Sequence, residues 1–144
     1  MDTIKSHKDL IVWQKSIALA STVYAVTRKL PSDEAFGLTR QLRRAAVSIP
    51  SNIAEGSARR NRGEYTHFLH IARGSLCEVE TQMMIAIDQG YVSHDASAMT
   101  DIAEVGRLLN GLIRSLANSE RAAHAKACRP TGKREPSEQL TANR

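Results

Sequence analysis

The sequence predicts an all-α protein, an antiparallel up-down four-helix bundle, and three observations support this prediction. Nineteen of its 144 residues are alanine, the strongest helix former, whereas only seven are valine, which sheets favour. Apolar residues recur at spacings of three and four in four successive segments. Short connections join the segments, and four helices joined in this way fold most simply as an antiparallel bundle.

The first predicted helix runs from Asp9, as its N-cap, to about Leu30, which precedes Pro31. It carries two apolar stripes on nearly opposite sides, so it needs a cover on both sides. The stripe assigned to the bundle core consists of Leu10, Trp13, Ile17, Ala20 and Tyr24. The stripe assigned to contact with a second copy of the chain consists of Val12, Leu19, Val23 and Val26.

The second predicted helix is capped by Ser32 or Asp33, and its apolar spacing continues in phase through Pro50. That continuity favours a kinked helix over a broken one. Asn52 and Glu55 follow the proline, and we expect them to satisfy backbone groups freed by it or to bind an arginine of the third helix. A polar site at a subunit boundary is the alternative.

The third predicted helix runs from Asn61, its N-cap, to about Gly90. Ile71 and Ile85 lie off its main apolar face and are predicted to contact a second copy. The fourth helix carries a narrow seam at Ile102, Val105, Leu109, Leu112 and Leu116, which fades near Ser119. The bundle is therefore expected to span residues 1–121, and a disordered basic tail to span residues 122–144.

Positive charge is concentrated between residues 40 and 73, where seven arginines face two glutamates. Arginine suits phosphate because its planar fork can donate two hydrogen bonds to one group. This stretch predicts contact with the backbone of RNA or DNA through Arg40, Arg43, Arg44, Arg59, Arg60, Arg62 and Arg73. The alternatives are a solvated loop, and pairing of Arg44 and Arg73 with Glu55 or Glu78. Aromatic platforms for stacking bases are nearly absent from this stretch apart from Tyr65, which disfavours sequence reading of single strands.

Composition and motifs give little support to catalytic or metal sites. Two cysteines, Cys77 and Cys128, are too few for a disulfide framework or a structural zinc site. Glu64 and His67 form a single Glu-x-x-His spacing, whereas di-iron bundles use two such motifs and two further glutamates. We therefore assign no catalytic residue, cofactor or metal. The sequence shows neither an apolar run that would span a bilayer nor a signal peptide, so we expect a cytoplasmic protein without membrane contact.

Four segments carry a resemblance to a known family: LIVWQK at Leu10–Lys15, QLRRAAVSIPSNIAEG at Gln41–Gly56, FLHIARGS at Phe68–Ser75 and LLNGL at Leu108–Leu112. Over about Leu10 to Leu116 the chain resembles the four-helix-bundle proteins encoded within intervening sequences of bacterial 23S ribosomal RNA genes. It is also similar to the accessory variability proteins of diversity-generating retroelements.

The resemblance implies a homopentameric bundle without established catalytic activity. The retroelement proteins bind nucleic acid through a basic surface and contact a reverse transcriptase. The resulting hypothesis is a non-enzymatic, homopentameric helical scaffold that binds RNA or DNA backbone. The alternative is a protein-interaction module that docks an acidic partner, such as a reverse transcriptase or a ribosome-associated factor, without nucleic-acid contact.

Overall fold

Four α-helices form the fold in the computed structural model, which describes residues 5–94 and 97–129. The helices are α1 Ile11–Thr27, α2 Leu38–Ser57, α3 Arg62–Asp88 and α4 Ser97–Ala127. Each packs against its neighbours in sequence, and α1 also packs against α4, which closes the bundle. The described residues contain no strand, so the predicted all-α class is confirmed.

The predicted N-cap of α1 is wrong. Asp9 belongs to a 3-10 turn, His7–Asp9, where its carboxylate accepts hydrogen bonds from the backbone N–H groups of Lys5 and Ser6 at 2.9 and 3.0 Å. Leu10 is the N-cap residue instead and makes no side-chain capping bond. The short side chain of aspartate binds the free backbone N–H groups that lie nearest to it. For Asp9 these are the N–H groups just before it in the chain, not those at the start of α1.

The predicted caps of α2, Ser32 and Asp33, also lie in a 3-10 turn, Ser32–Glu34. The side chain of Glu34 performs the capping, because its Oε2 accepts a hydrogen bond from the backbone N–H of Leu38 at 2.9 Å. The longer glutamate reaches the first turn of α2 across three intervening residues, which the sequence pattern of short capping residues does not reveal.

Pro50 lies inside α2 without breaking it, so the predicted continuity of this helix is confirmed. The backbone carbonyl that the proline leaves without an N–H partner belongs to Ala46. Asn52 Nδ2 instead donates to the carbonyl of Ser48 at 2.8 Å and to its Oγ at 2.9 Å. Asn52 therefore has a structural role, but at a different backbone group from the one expected.

Both predicted ends of α3 are close to those observed. Asn61 Oδ1 accepts hydrogen bonds from the N–H groups of Gly63 and Glu64 at 2.7 and 3.3 Å, which confirms the predicted N-cap. At the other end Gly90 adopts a φ of 77°. The N–H of Tyr91 binds the carbonyl of Ala86 at 3.0 Å, which makes this end a Schellman motif.

α4 continues to Ala127, well past Ser119, so the first six residues of the predicted tail are helical. Residues 121–129 are exposed, and the helix there is held by its own propensity rather than by packing. That propensity is high because four of the residues between 122 and 127 are alanine. The rest of the predicted tail, from residue 130 onward, lies outside the described residues.

The stripe of α1 assigned to a second copy faces the bundle core, whereas only Leu10, Trp13 and Ala20 of the stripe assigned to the core pack against it, and they are partly buried. Val12, Leu19 and Val23 lie in the core of the single chain, and Leu19 and Val23 are 0% exposed. They cannot contact a second copy, and their assignment to an oligomer interface is wrong. Ile17 and Tyr24, assigned to the core, are exposed to 41% and 37%. Apolar periodicity locates the two stripes of a helix but does not say which one faces its own bundle.

Two polar residues concealed the true core stripe of α1. Ser16 and Thr27 share the buried face with Val12, Leu19 and Val23. Their hydroxyls donate to backbone carbonyls one turn earlier in the same helix, at 2.7 and 3.1 Å. Because each hydroxyl finds its acceptor within α1, its burial costs little.

The other residues predicted to contact a second copy have different surroundings. Val26 is partly buried and packs on the core, whereas Ile71 and Ile85 are exposed to 39% and 45%. Ile71 and Ile85 are therefore free to contact another molecule.

α2 and α3 make the most extensive helix–helix contact of the bundle, and they approach closely at Gly56. A Cβ placed at Gly56 would lie 2.8 Å from Phe68 Cβ and 2.9 Å from Tyr65 Cδ2. Neither neighbour can move away freely, because Phe68 Cβ is attached directly to the backbone of α3 and the Tyr65 ring is partly buried. The absence of a side chain at Gly56 therefore sets the spacing of α2 and α3 near their connection.

We predict that Gly56→Ala lowers the free energy of unfolding by about 1–3 kcal/mol, because the new methyl group overpacks this contact. Gly74→Ala is the matched control, because a Cβ there meets no atom within 4 Å. In mid-helix the control should be neutral, or stabilising by up to about 1 kcal/mol. Urea unfolding followed by circular dichroism measures both. Equal effects of the two substitutions would contradict the close approach.

Candidate nucleic-acid interface

α2 separates the predicted phosphate-binding arginines into two groups. Arg40, Arg43 and Arg44 lie in its first two turns, whereas the others follow its C-terminus. At 1.5 Å per residue the two groups are roughly 25 Å apart along the helix axis. We call the end of the bundle with the α1–α2 and α3–α4 connections the upper end, and the end with the α2–α3 connection the lower end. The basic stretch of the sequence is therefore not one surface.

The lower-end arginines are Arg59, Arg60 and Arg62, and all three are exposed. The guanidinium of Arg59 binds Glu55 Oε1 at 2.9 Å and lies over the ring of Phe68, 5.0 Å from its centroid. Arg59 is thus partly neutralised, and this pair gives Glu55 a structural role, with Arg59 as its partner instead of an arginine of α3. Such an exposed pair is weak enough to be exchanged for a phosphate.

Arg62 connects the α2–α3 loop to α4, because its guanidinium donates a hydrogen bond to Ser119 Oγ. This contact places Ser119 of α4 beside the start of α3. Arg60 makes no ion pair or side-chain hydrogen bond within the described part of the chain. Its guanidinium is the least engaged of the three and the most available to an external anion.

The C-terminal turns of α4 bring further positive charge to the lower end. Arg121, Lys126 and Arg129 are exposed and lie just beyond Ser119, which contacts Arg62. Sequence reasoning placed Lys126 and Arg129 in a disordered tail and so did not group them with the loop arginines. The run of alanines between residues 122 and 127 is the signal that predicts their helical placement.

Tyr65 does not offer a stacking platform. It is half-buried against Gly56, and burial raises the pKa of its phenol. Phe68, the other aromatic residue nearby, is partly buried beneath Arg59. Among the described residues of the lower end, guanidinium and ammonium groups are exposed whereas the tyrosine and phenylalanine rings are at least partly buried, which suits contact with phosphates rather than with bases.

Arg43 at the upper end joins two helices. Its Nε donates to Thr27 Oγ1 at 2.8 Å, and its guanidinium carbon lies 4.6 Å from the ring centroid of Tyr24. Both partners belong to α1, so Arg43 holds the C-terminal half of α1 against α2. Arg40 and Arg44, by contrast, are exposed on the outer face of α2. These residues line an open groove of about 500 Å³ together with Tyr24 and other side chains.

Arg73 lies midway along α3, apart from both groups. Its Nη1 is 3.5 Å from Asn110 Oδ1 on α4, a long contact that links the two helices. The alternative pairing of Arg44 or Arg73 with Glu55 or Glu78 does not form among the described residues, because Glu55 binds Arg59 and neither arginine makes an ion pair with Glu78. The predicted set of seven arginines thus comprises a lower-end group of three, an upper-end group of three and a separate residue.

Two serines, Ser48 and Ser75, belong to the packing of α2 against α3. Ser48 Oγ and Ser75 Oγ are 2.8 Å apart across the α2–α3 contact, and Asn52 also binds Ser48. Ser48 and Ser75 are therefore committed to structural hydrogen bonds. Gly74, next to Ser75 in the sequence, lies on the exposed face of α3.

The described residues contain no group of three or more histidine, cysteine, aspartate or glutamate side chains that could hold a metal ion. Cys77 and Cys128 are both free and exposed. Cys128 Sγ lies 3.8 Å from His124 Nε2, one helical turn away on the same exposed segment. Within the same residues, no helix combines the length and hydropathy needed to cross a membrane.

The comparisons with known proteins agree with this all-α bundle. Residues 8–111 match the family described as 23S rRNA-intervening sequence protein, and the chain belongs to this family. A crystal structure of a protein of unknown function from the S23 ribosomal protein family of Bacteroides thetaiotaomicron VPI-5482 superposes with a TM-score of 0.67. The two sequences are 25% identical, and the match covers 72% of this chain and 98% of the other. No curated protein matches the sequence.

We predict that Arg43→Met lowers the free energy of unfolding by about 1–2 kcal/mol, because it removes a partly buried hydrogen bond and a cation–π contact. Methionine keeps the apolar stem of the side chain, so the loss reports on the guanidinium. Arg107→Met, on the exposed face of α4, is the matched control and should leave the free energy nearly unchanged. Urea unfolding measures both. An unchanged Arg43→Met variant would show that this guanidinium does not hold α1 to α2.

Proposed function

We propose that this protein is a non-enzymatic, homo-oligomeric helical scaffold whose lower end binds the phosphate backbone of RNA or DNA. One observation carries the proposal: exposed cations from the α2–α3 connection and from the last turns of α4 meet at one end of the bundle. The hydrogen bond from Arg62 to Ser119 joins these two segments, which lie far apart in the sequence.

The balance of charge at the lower end supports a polyanionic ligand. Residues 55–64 and 114–129 carry seven arginine or lysine side chains and three glutamates, a net charge of +4. One of the glutamates, Glu55, is already paired with Arg59. Contacts of this kind release condensed counterions and carry no base information, so binding should be strong at low salt and independent of sequence.

Family membership supports the scaffold part of the proposal. The resemblance to accessory variability proteins implies nucleic-acid binding together with a pentameric assembly, and we extend both to this chain as proposals. Because each copy would contribute one lower end, assembly would multiply the charge available to one long nucleic acid. A cytoplasmic setting belongs to the same proposal and suits two free, exposed cysteines.

We predict that Arg59→Ala/Arg60→Ala/Arg62→Ala weakens binding of RNA and duplex DNA alike, by about tenfold or more in low salt, because phosphate contacts are lost. The slope of log affinity against log salt should become shallower by the number of contacts removed. Fluorescence anisotropy with labelled oligonucleotides of unrelated sequence measures both quantities.

The matched control is Arg28→Ala/Lys29→Ala/Arg107→Ala, which removes the same charge from exposed positions away from the lower end. It should change affinity much less. A chain ending at Arg129 separates the bundle from the residues beyond it. If that chain binds no nucleic acid in about 50 mM salt, where such contacts are strong, the nucleic-acid proposal fails. The interaction module that docks an acidic protein partner would then be the better account.

A further inference from the structure

The last turn of α4 brings a thiol and an imidazole together. Cys128 Sγ lies 3.8 Å from His124 Nε2. The backbone keeps the two residues one helical turn apart, because the N–H of Cys128 donates to the carbonyl of His124 at 3.0 Å. Side chains four residues apart in a helix lie on one face. The pair is therefore placed by the backbone of α4 and does not depend on packing against the bundle.

Packing does not explain either side chain of this pair. Every residue from 121 to 129 is exposed, and Cys128 is a free thiol. A free cysteine is usually buried, because it packs as a small apolar side chain, and otherwise its chemistry decides its role. The pair also lies beyond residues 8–111, the part of the chain that matches the family. Its role is therefore a question about the chemistry of this chain.

The distance between the two ligand atoms suits a shared metal ion. Zn²⁺ binds a cysteine sulfur at about 2.3 Å and a histidine nitrogen at about 2.0–2.1 Å, usually in tetrahedral geometry. These bond lengths and a tetrahedral angle place the sulfur and the nitrogen about 3.6 Å apart. The observed 3.8 Å is close to this separation, so a zinc ion fits between the two atoms with little rearrangement.

We propose that His124 and Cys128 chelate a Zn²⁺ ion at the end of α4. The thiol releases its proton to water as the zinc–sulfur bond forms, and the neutral imidazole binds through Nε2. A thiolate and an imidazole together favour zinc over the magnesium and calcium ions that prefer oxygen ligands. Water fills the remaining positions, because the described residues contain no group of three or more histidine, cysteine, aspartate or glutamate side chains that could hold the ion.

The surroundings of the pair leave room for the ion. Both sequence neighbours of His124 are alanine, so no long side chain lies directly beside the imidazole. Glu120, one turn earlier, lines a shallow open groove with His124 and Arg121, and its carboxylate offsets the positive charge of that arginine. At about 100° per residue, Lys126 lies on the opposite side of the helix from the pair. The site is therefore open to solvent, and its zinc exchanges with the medium.

A bound ion clamps the last turn of α4. Residues 121–129 are helical without burial, so a link between positions 124 and 128 adds directly to the stability of this segment. The site lies beside the cations of the lower end, but the inference does not rest on the proposed function. Metal binding is measured without nucleic acid, so it succeeds or fails separately.

The test uses the full chain, reduced with a phosphine, and Co²⁺ as the spectroscopic probe. A thiolate bound to Co²⁺ gives an intense charge-transfer absorption in the near ultraviolet, which disappears when Zn²⁺ displaces the cobalt. We expect this behaviour in the wild type. Loss of a hydrogen-bond partner of a metal ligand already costs about 10–100-fold in affinity, so His124→Gln and Cys128→Ser should each weaken zinc binding at least about tenfold.

Cys77→Ser and His70→Gln are the matched controls, because each removes an exposed thiol or imidazole of α3. No histidine lies one turn from Cys77 on either side. Both controls should keep the absorption band and the zinc affinity of the wild type. Circular dichroism should show that zinc raises the helicity of the wild type but not of Cys128→Ser. A wild type without the band, a band that persists in Cys128→Ser, or controls that weaken binding as much as His124→Gln would each overturn the proposal.

Discussion

The contact between α2 and α3 is the constraint on which the rest of the structure depends. The two helices approach so closely at Gly56 that a single methyl group would not fit. The Ser48–Ser75 hydrogen bond then holds their register near mid-length. That register fixes which residues of α2 and α3 share a height, while the length of α2 keeps its first arginines and those that follow its C-terminus at opposite ends of the bundle.

Much of the fold could be predicted from the sequence, because helix periodicity and capping residues are local signals. Asn61 and Gly90 end α3 as expected, and Pro50 is tolerated within α2. The sequence did not show which stripe of α1 faces the bundle core, because both stripes are apolar. In addition, Ser16 and Thr27 are buried with the true core stripe and made it look less apolar. A hydroxyl that binds its own helix can be buried at little cost, and sequence periodicity does not register that bond.

The candidate site was predicted only in part for a related reason. The count of charges along the chain placed the arginines of residues 40–73 in one group, although they lie at two ends of the bundle. It left out the cations at the end of α4, although these lie near the α2–α3 connection. Arg62 lies beside Ser119 because α3 and α4 are antiparallel, so the last turns of α4 extend the basic surface of the α2–α3 connection. Arg43 looked like a phosphate ligand, yet it binds Thr27 and Tyr24. Which charged residues lie close together depends on how the helices are aligned along one another. No local pattern in the sequence encodes that alignment.

The two ends of the bundle thus have different chemistry: at the upper end Arg43 holds α1 to α2 beside an open groove, and the lower end carries exposed cations from the α2–α3 connection and from α4. The most direct test of this division is photo-crosslinking of the full chain to RNA that contains 4-thiouridine, followed by mass spectrometry of the crosslinked peptides. Our account predicts crosslinks within residues 58–65 and 114–129. Crosslinks confined to residues 36–48 or to the outer face of α3 would contradict it.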